Sequence, residues 1–204
     1  VSDATRDSIL AAARRLFVEH GFAGASLSDI AAAAGVTKSL IHHHFGSKQG
    51  LWDAMKEECA ATYTSQLAAT LAAQPPDVGL LKESLASYFE FLRRNPDEVR
   101  LFAWLFLEGK NDCPPGELEL LRLGAERLRD GQAQGTIRGD LQPGYILAVV
   151  LCSMVRWFQN RELFQHVLPK LGVEQLDDGF RDTLLTILVD GVVARPPAPP
   201  APPA

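Results

Sequence analysis

Between Thr37 and Lys48 the chain reads TKSLIHHHFGSK, a stretch with two lysines, three histidines, three hydroxyl side chains and no acid. Positive charge and hydrogen-bond donors at this density suit phosphate oxygens and the acceptor edges of bases in a DNA groove. Lys38, Ser39, His42 and His43 supply the donors and hydroxyls, and Leu40 offers an apolar side chain for a thymine methyl. A helix face meant only for water usually mixes signs. Ser47 caps the next helix and Lys48 stands in its first turn, where the dipole does not favour a lysine for stability but where lysine and dipole together suit one phosphate. The run His42-His43-His44 is not a metal site. Neighbours on a helix point about 100° apart, whereas a helical metal pair needs i,i+4 spacing. His43 also reads as a solvated polar residue, and His44 as packing on the first helix.

Local signals say how this stretch is held. Ser26 followed by Asp29 starts a helix at Leu27 that runs through Ala34, and Gly35 ends it by taking a left-handed conformation. Thr37 then caps a second short helix. Ile30, Ala34, Val36 and Ile41 hold the corner together, and Ala31 is small enough for a close crossing. The pattern is a helix-turn-helix. Ile9, Ala13, Leu16, Phe17 and His20 recur at helical spacing and predict a preceding helix from about Asp3 to Thr5 through His20, closed by Gly21. On that reading Phe17 is core, and Arg14 and Arg15 are solvated.

The segment resembles the DNA-binding part of the TetR family of bacterial regulators, on Ile30-Ala31, Ala34-Gly35-Val36, Phe45 and Ser47-Lys48. The resemblance implies phosphate contacts from Thr37, His42 and Lys48 and base contacts from Lys38, Ser39 and Leu40. It departs from the family at His42 and His44, where a tyrosine and a second aromatic are usual. It departs again at Ser28, where a basic residue often opens the first helix of the motif. Both departures retune phosphate binding.

The whole chain, 204 residues with a net charge of −5, looks unsuited to nucleic acid until the charge is divided. Residues 1–56 carry six basic and five acidic side chains, or +1, and the remainder carries fourteen and twenty, or −6. A weakly basic reading head on an acidic body is the expectation. The expected fold is all-α: a DNA-binding domain over 1–47, a connecting helix over 48–74, a helical ligand-binding and dimerisation domain over 75–195, and a disordered proline-rich tail, 196–204. The connecting helix carries Leu51, Met55, Cys59, Tyr63, Leu67 and Leu71 at four-residue steps up to Gln74-Pro75-Pro76. Asn95 is read as capping the next helix with Glu98 three residues on. Val99 to Leu107 is apolar nearly all round and belongs in the middle of something. Further helices are expected from Pro114-Pro115-Gly116, over Tyr145 to Asn160, and from about Leu176 to Val193. Cys59, Cys113 and Cys152 have neither zinc nor disulfide spacing and read as reduced core or pocket thiols. The longest apolar run, Tyr145 to Val155, is too short to span a bilayer, so a cytoplasmic protein without cofactor or metal is expected.

The body is rich in large apolar residues. Bundle interiors host small-molecule cavities, and the resemblance implies one here, with walls expected from Tyr63, Tyr88, Phe89, Leu92, Phe102, Phe106, Leu121, Cys152 and Val155 and an apolar or aromatic effector. The last two long helices carry a second apolar stripe: Val149, Val150, Ser153, Met154 and Trp157 on one, Phe180, Leu184, Ile187, Leu188 and Gly191 on the other. The resemblance implies that they pair across a two-fold axis, giving a homodimer whose heads read half-sites of a palindromic operator roughly 34–36 Å apart or a multiple of that. A ligand-released repressor is therefore expected. The alternatives are a helical protein-interaction adapter, which leaves the acid-free face unexplained, and a small-molecule enzyme, for which no catalytic set can be located.

Overall fold

The computed structural model describes residues 3–109, 115–168 and 171–193, so Cys113 and the proline-rich end lie outside the described residues. Helix α1 (Asp3–Gly24) follows a helical path to His20 and is kinked at Gly21, whose φ of 72° and ψ of 178° let the last turn fold back. Helices α2 (Leu27–Ala34), α3 (Lys38–Phe45) and α4 (Lys48–Ala73) follow. Each is started by a hydroxyl. Ser26 Oγ accepts from the Asp29 N–H, Thr37 Oγ1 from Leu40 and Ser47 Oγ from Gly50. Each bond satisfies a backbone donor that the helix cannot. Gly35 sits at φ 67°, ψ 29°, and the Val36 N–H returns to the Ala31 carbonyl at 3.0 Å, the closure that lets α3 begin two residues later.

The N-terminal core is Ile9, Ala13 and Phe17 of α1, Ile30 and Ala31 of α2, Ile41 of α3, and Leu51, Trp52 and Met55 of α4. Trp52 is its keystone, edge-on to Phe17 at 4.9 Å and to Phe22 at 5.5 Å. Full burial of side chains this size contributes about 1.5–3 kcal/mol each. The first two turns of α4, through Met55, therefore belong to the head.

The body is α5 (Val78–Arg94), α6 (Pro96–Leu107), α7 (Pro115–Ala133), α8 (Pro143–Phe164) and α9 (Val173–Val192). Leu85, Phe89 and Leu92 of α5 pack on Val150, Met154 and Trp157 of α8 and on Leu176, Leu184 and Leu188 of α9. Trp157 stacks on Phe180 with centroids 4.2 Å apart and donates to Asp177 Oδ1 at 2.8 Å, while Arg161 reaches Asp177 Oδ2, also at 2.8 Å. A buried carboxylate is tolerable only with partners of this kind. Among the described residues the only β pairing is an isolated bridge, Ile137 to Val193.

Helix α6 lies between head and body. Arg14 Nη2 meets Glu98 Oε1 at 3.0 Å, Trp104 Nε1 donates to the Val18 carbonyl at 3.1 Å, Arg100 Nη2 donates to the Glu19 carbonyl at 3.3 Å, and the Ala23 N–H donates to Glu108 Oε1 at 3.1 Å. Three expectations are corrected here. Arg14 is not simply solvated, because a buried acid from α6 demands its charge. Glu98 is not the far end of a cap, because it turns inward, and the Asn95 amide donates back to the Phe91 carbonyl at 2.7 Å. The apolar belt of α6 is also not buried throughout: Leu101 is, but Phe106 is 77% exposed and Leu107 70%.

Candidate DNA-reading face and effector cavity

Helix α3 turns Ile41 into the core and leaves Thr37, Lys38, Ser39, His42 and His43 exposed, with Leu40 half-buried. Thr37 Oγ1 lies 3.0 Å from Ser39 Oγ. His42 Nδ1 is 3.0 Å from the Gly46 carbonyl, which can only accept, so Nδ1 carries the proton and Nε2 faces away. Ser28 is exposed in the first turn of α2. Lys48 is drawn toward the tail of α1, its Nζ 4.6 Å from the Phe22 ring centroid and 3.4 Å from the Ala23 carbonyl. The start of α4 crowds the end of α3. A Cβ on Gly50 would fall 2.1 Å from the Phe45 carbonyl oxygen, so only glycine lets the two helices meet there. His44 is half-buried, its ring 5.9 Å from that of Phe45.

Behind the head, α4, α5, α6, α7 and α8 enclose a cavity of about 160 Å³. Tyr63, Leu67 and Leu71 form the α4 wall, Leu81, Ser84 and Tyr88 the α5 wall, and Leu101 and Phe102 the α6 wall. Leu120, Leu121 and Gly124 of α7 and Leu147 and Leu151 of α8 close the far side. Polar groups punctuate this apolar lining. Burial, then the charge of nearby Glu98, pushes the Cys59 thiol up to about 12. Burial also raises the phenols of Tyr63 and Tyr88, so both remain protonated donors at neutral pH. The Glu98 carboxyl is raised by burial against the opposing pull of Arg14. The buried Ser84 hydroxyl has no hydrogen-bond partner among the described residues.

A head of three helices with an acid-free second motif helix, joined by one long helix to a hollow helical body, matches known proteins at every level. The sequence profile of bacterial regulatory proteins of the tetR family matches residues 9–55, and that of the tetracyclin repressor-like C-terminal domain matches 81–179. The HTH-type transcriptional repressor SCO4008 of Streptomyces coelicolor is 30% identical over 185 residues, covering 89% of this chain and 92% of that one. The chain belongs to the TetR family. The structure of the transcriptional regulator SCO4942 from Streptomyces coelicolor superposes with a TM-score of 0.70 at 25% identity, over 96% of this chain and 99% of that one. A gamma-butyrolactone receptor, described as ArpA-like, gives 0.67 at 25% identity over 94% and 89%.

As a TetR-family regulator the protein is a DNA-binding transcription factor rather than an enzyme or an adapter without DNA. No helix among the described residues is long and apolar enough to cross a membrane, and no cluster of ligating side chains there is fit for a metal. Of the side chains expected around the effector, Tyr63, Tyr88, Phe102 and Leu121 line the cavity. The others do not. Phe89 and Leu92 point the other way, into the core against α8 and α9, and Val155 packs on that same core. Phe106 projects from the end of α6, and Cys152 is exposed on α8.

The two apolar stripes are likewise divided. Val150, Met154, Trp157, Leu184 and Leu188 are core within one protomer, with Phe180 stacked on Trp157, so they are not free to meet a second chain. Val149 and Ile187 stay outside, 55% and 63% exposed, with Ser153 and Gly191 partly covered. Sequence reading missed Glu98 and Ser84 as cavity groups. It also missed Arg6, whose guanidinium lies 5.6 Å above the Phe45 ring at the end of α3. Helical phase relative to Tyr88 puts Ser84 on the cavity side, but nothing local reveals the partner of Glu98.

Proposed function

We propose that the protein is a cytoplasmic repressor that grips a palindromic operator as a homodimer and releases it when a small apolar or aromatic effector enters the body. The observation that carries this reading is how α4 serves both sites. Ser47 and Gly50 at its start meet the Phe45 carbonyl at the end of α3, and Cys59, Tyr63, Leu67 and Leu71 further along it wall the cavity. A volume of about 160 Å³ is close to that of a cavity filled by one benzene ring and well below the ~300–1,000 Å³ of drug-sized sites. Any larger effector must therefore push α4 away from α5 and α7, and a helix displaced at one end carries the other. Effector and DNA then oppose each other reciprocally, because one coupling free energy acts on both.

In this reading Thr37, His42, Lys48 and Ser28 hold phosphates, while Lys38, Ser39 and Leu40 read bases, with His43 beside them. Val149, Ser153 and Ile187 pair with their two-fold mates and set the heads at half-site spacing. The names of the relatives, a repressor and a small-molecule receptor, support it. The test is fluorescence anisotropy on a duplex selected by the protein from random DNA. A preferred palindrome is expected, with affinity falling about tenfold or more as effector saturates. Ile187→Asp should give a monomer by sedimentation and lose the palindrome preference. Equal binding to all duplexes, or operator affinity unaltered by a compound shown calorimetrically to occupy the body, overturns the proposal.

A further inference from the structure

We infer that Glu98 is the point at which the effector is sensed: a lipophilic aromatic cation docks its charge on the Glu98 carboxylate in competition with Arg14, cutting an ion pair that ties the head to the body. This rests on the ligand-controlled reading above and names the ligand class and the route of the signal.

The first support is the charge of the cavity. Its lining carries Asp77, Glu98 and Glu117 against Lys56 and Arg127. Both cations are already engaged by acids outside it, Lys56 with Asp53 at 3.0 Å and Arg127 with Asp130 at 3.3 Å. The Tyr88 hydroxyl feels both Glu117 and Glu98. Glu98 is in turn matched by Arg14 from outside the lining, so it is when Arg14 withdraws that the interior leans negative in its apolar shell, and a cationic ligand is then held there in preference to an anionic one. Tyr63, Tyr88, Phe91 and Phe102 add aromatic faces, with Tyr63 and Phe91 centroids 4.5 Å apart. Such faces hold an aromatic ring and favour a cation above them.

The second support is an asymmetry within the ion pair. The Glu98 side chain is 7% exposed and that of Arg14 39%. If the pair opens, the guanidinium swings into water at little cost, whereas the carboxylate stays buried and needs a replacement charge. A ligand cation supplies it. Of the polar ties between α1 and α6 described above, this one alone ends on a group that also faces the cavity. Its loss leaves the head held to α6 by bonds to backbone and by Glu108, so the head gains freedom without detaching.

The experiment uses the full chain and three probes near the cavity's size: benzyltrimethylammonium, its uncharged carbon isostere neopentylbenzene, and the anion 3-phenylpropionate. Calorimetry on the DNA-free protein should show the cation binding at least tenfold tighter than either other probe. Glu98→Gln should abolish that preference, and Arg14→Gln, which removes the competitor, should tighten the cation severalfold. The wild-type ranking stands without any variant, so poor folding of one does not shelter the idea. An equal or reversed ranking, no binding of the cation, or unchanged cation affinity in a folded Arg14→Gln protein overturns it. Duplex binding without any probe is measured separately. Failure there sinks the regulator reading, whereas failure of the probe ranking with intact operator binding sinks only the Glu98 inference.

Discussion

Replacing Gly21 by alanine tests the joint between head and body. Gly21 holds φ 72° with ψ 178°, a backbone region open in practice only to glycine, and forcing a Cβ-bearing residue into it costs about 1–3 kcal/mol. The added Cβ would also sit 2.7 Å from Trp104 Cε3 and 2.6 Å from Glu108 Oε1. The carboxylate end can rotate away. The indole cannot, because its Nε1 is bonded to the Val18 carbonyl and its ring is wedged between α1 and α6. Overpacking against such a group adds about 1–3 kcal/mol. The sum, about 2–6 kcal/mol, should lower the thermal midpoint by on the order of 5–20 °C for a chain of this length. Circular dichroism at 222 nm on Gly21→Ala measures it, with Gly139→Ala as control, since nothing lies within 4 Å of a Cβ there. Trp104→Leu in the Gly21→Ala background should recover the steric share and leave the backbone share. If Gly21→Ala melted within about 1 °C of wild type, the close seat of α6 on α1 would be refuted.

The remaining predictions concern single side chains. Lys38→Ala should weaken operator binding by about 1–3 kcal/mol with relaxed choice at one base pair if Lys38 reads a base; a uniform loss across sequences with a salt slope smaller by about one would reassign it to phosphate. Asp177→Ala should destabilise the body by about 3 kcal/mol in urea melts, since Trp157 Nε1 loses its buried acceptor; because Arg161 is 31% exposed and can turn to water, a loss above about 5 kcal/mol would contradict this account. With its thiol raised to about 12, Cys59 is thiolate in only about one molecule in 10⁴ at pH 8. Iodoacetamide should therefore spare Cys59 in the native protein, react faster as pH climbs toward 12, and label it readily in urea; rapid native labelling at pH 8, read by peptide mass spectrometry, would contradict its burial.

What the sequence made legible was whatever is decided within a few residues. Ser26, Thr37 and Ser47 each cap the helix they precede, and Gly35 makes the left-handed turn, because a cap or a turn is chemistry between positions three or four apart. The i,i+4 stripe Cys59, Tyr63, Leu67 and Leu71 is one continuous wall of the cavity for the same reason. Glu98 fails by the same logic. Three residues after Asn95 it has the spacing of a capping partner, but its actual partner, Arg14, is 84 residues away. Phe89 and Tyr88 are adjacent on α5, yet they face opposite sides, one the core and one the cavity. Hydrophobicity alone cannot tell which side is hollow. On α8, likewise, Val150, Met154 and Trp157 are core while Val149 and Ser153 lie about 100° round the helix.

These long-range placements bear on how the head can be moved at all. Its own core extends through Met55 of α4, so α4 cannot shift there without carrying Trp52, Phe17 and hence α2 and α3 along. The head therefore moves as a body, and its pivot must lie where packing gives way to discrete polar contacts. That place is the α1–α6 seam, where Leu101 and half-buried Leu105 supply the apolar contact and Arg14, Arg100, Trp104 and Glu108 supply the bonds. Polar bonds there can be exchanged for bonds to water or ligand at a cost of about 1 kcal/mol each, whereas tearing Trp52 from its socket would cost several. A switch operating on the 1–3 kcal/mol of ordinary coupling energies has to work on the seam and leave the core alone.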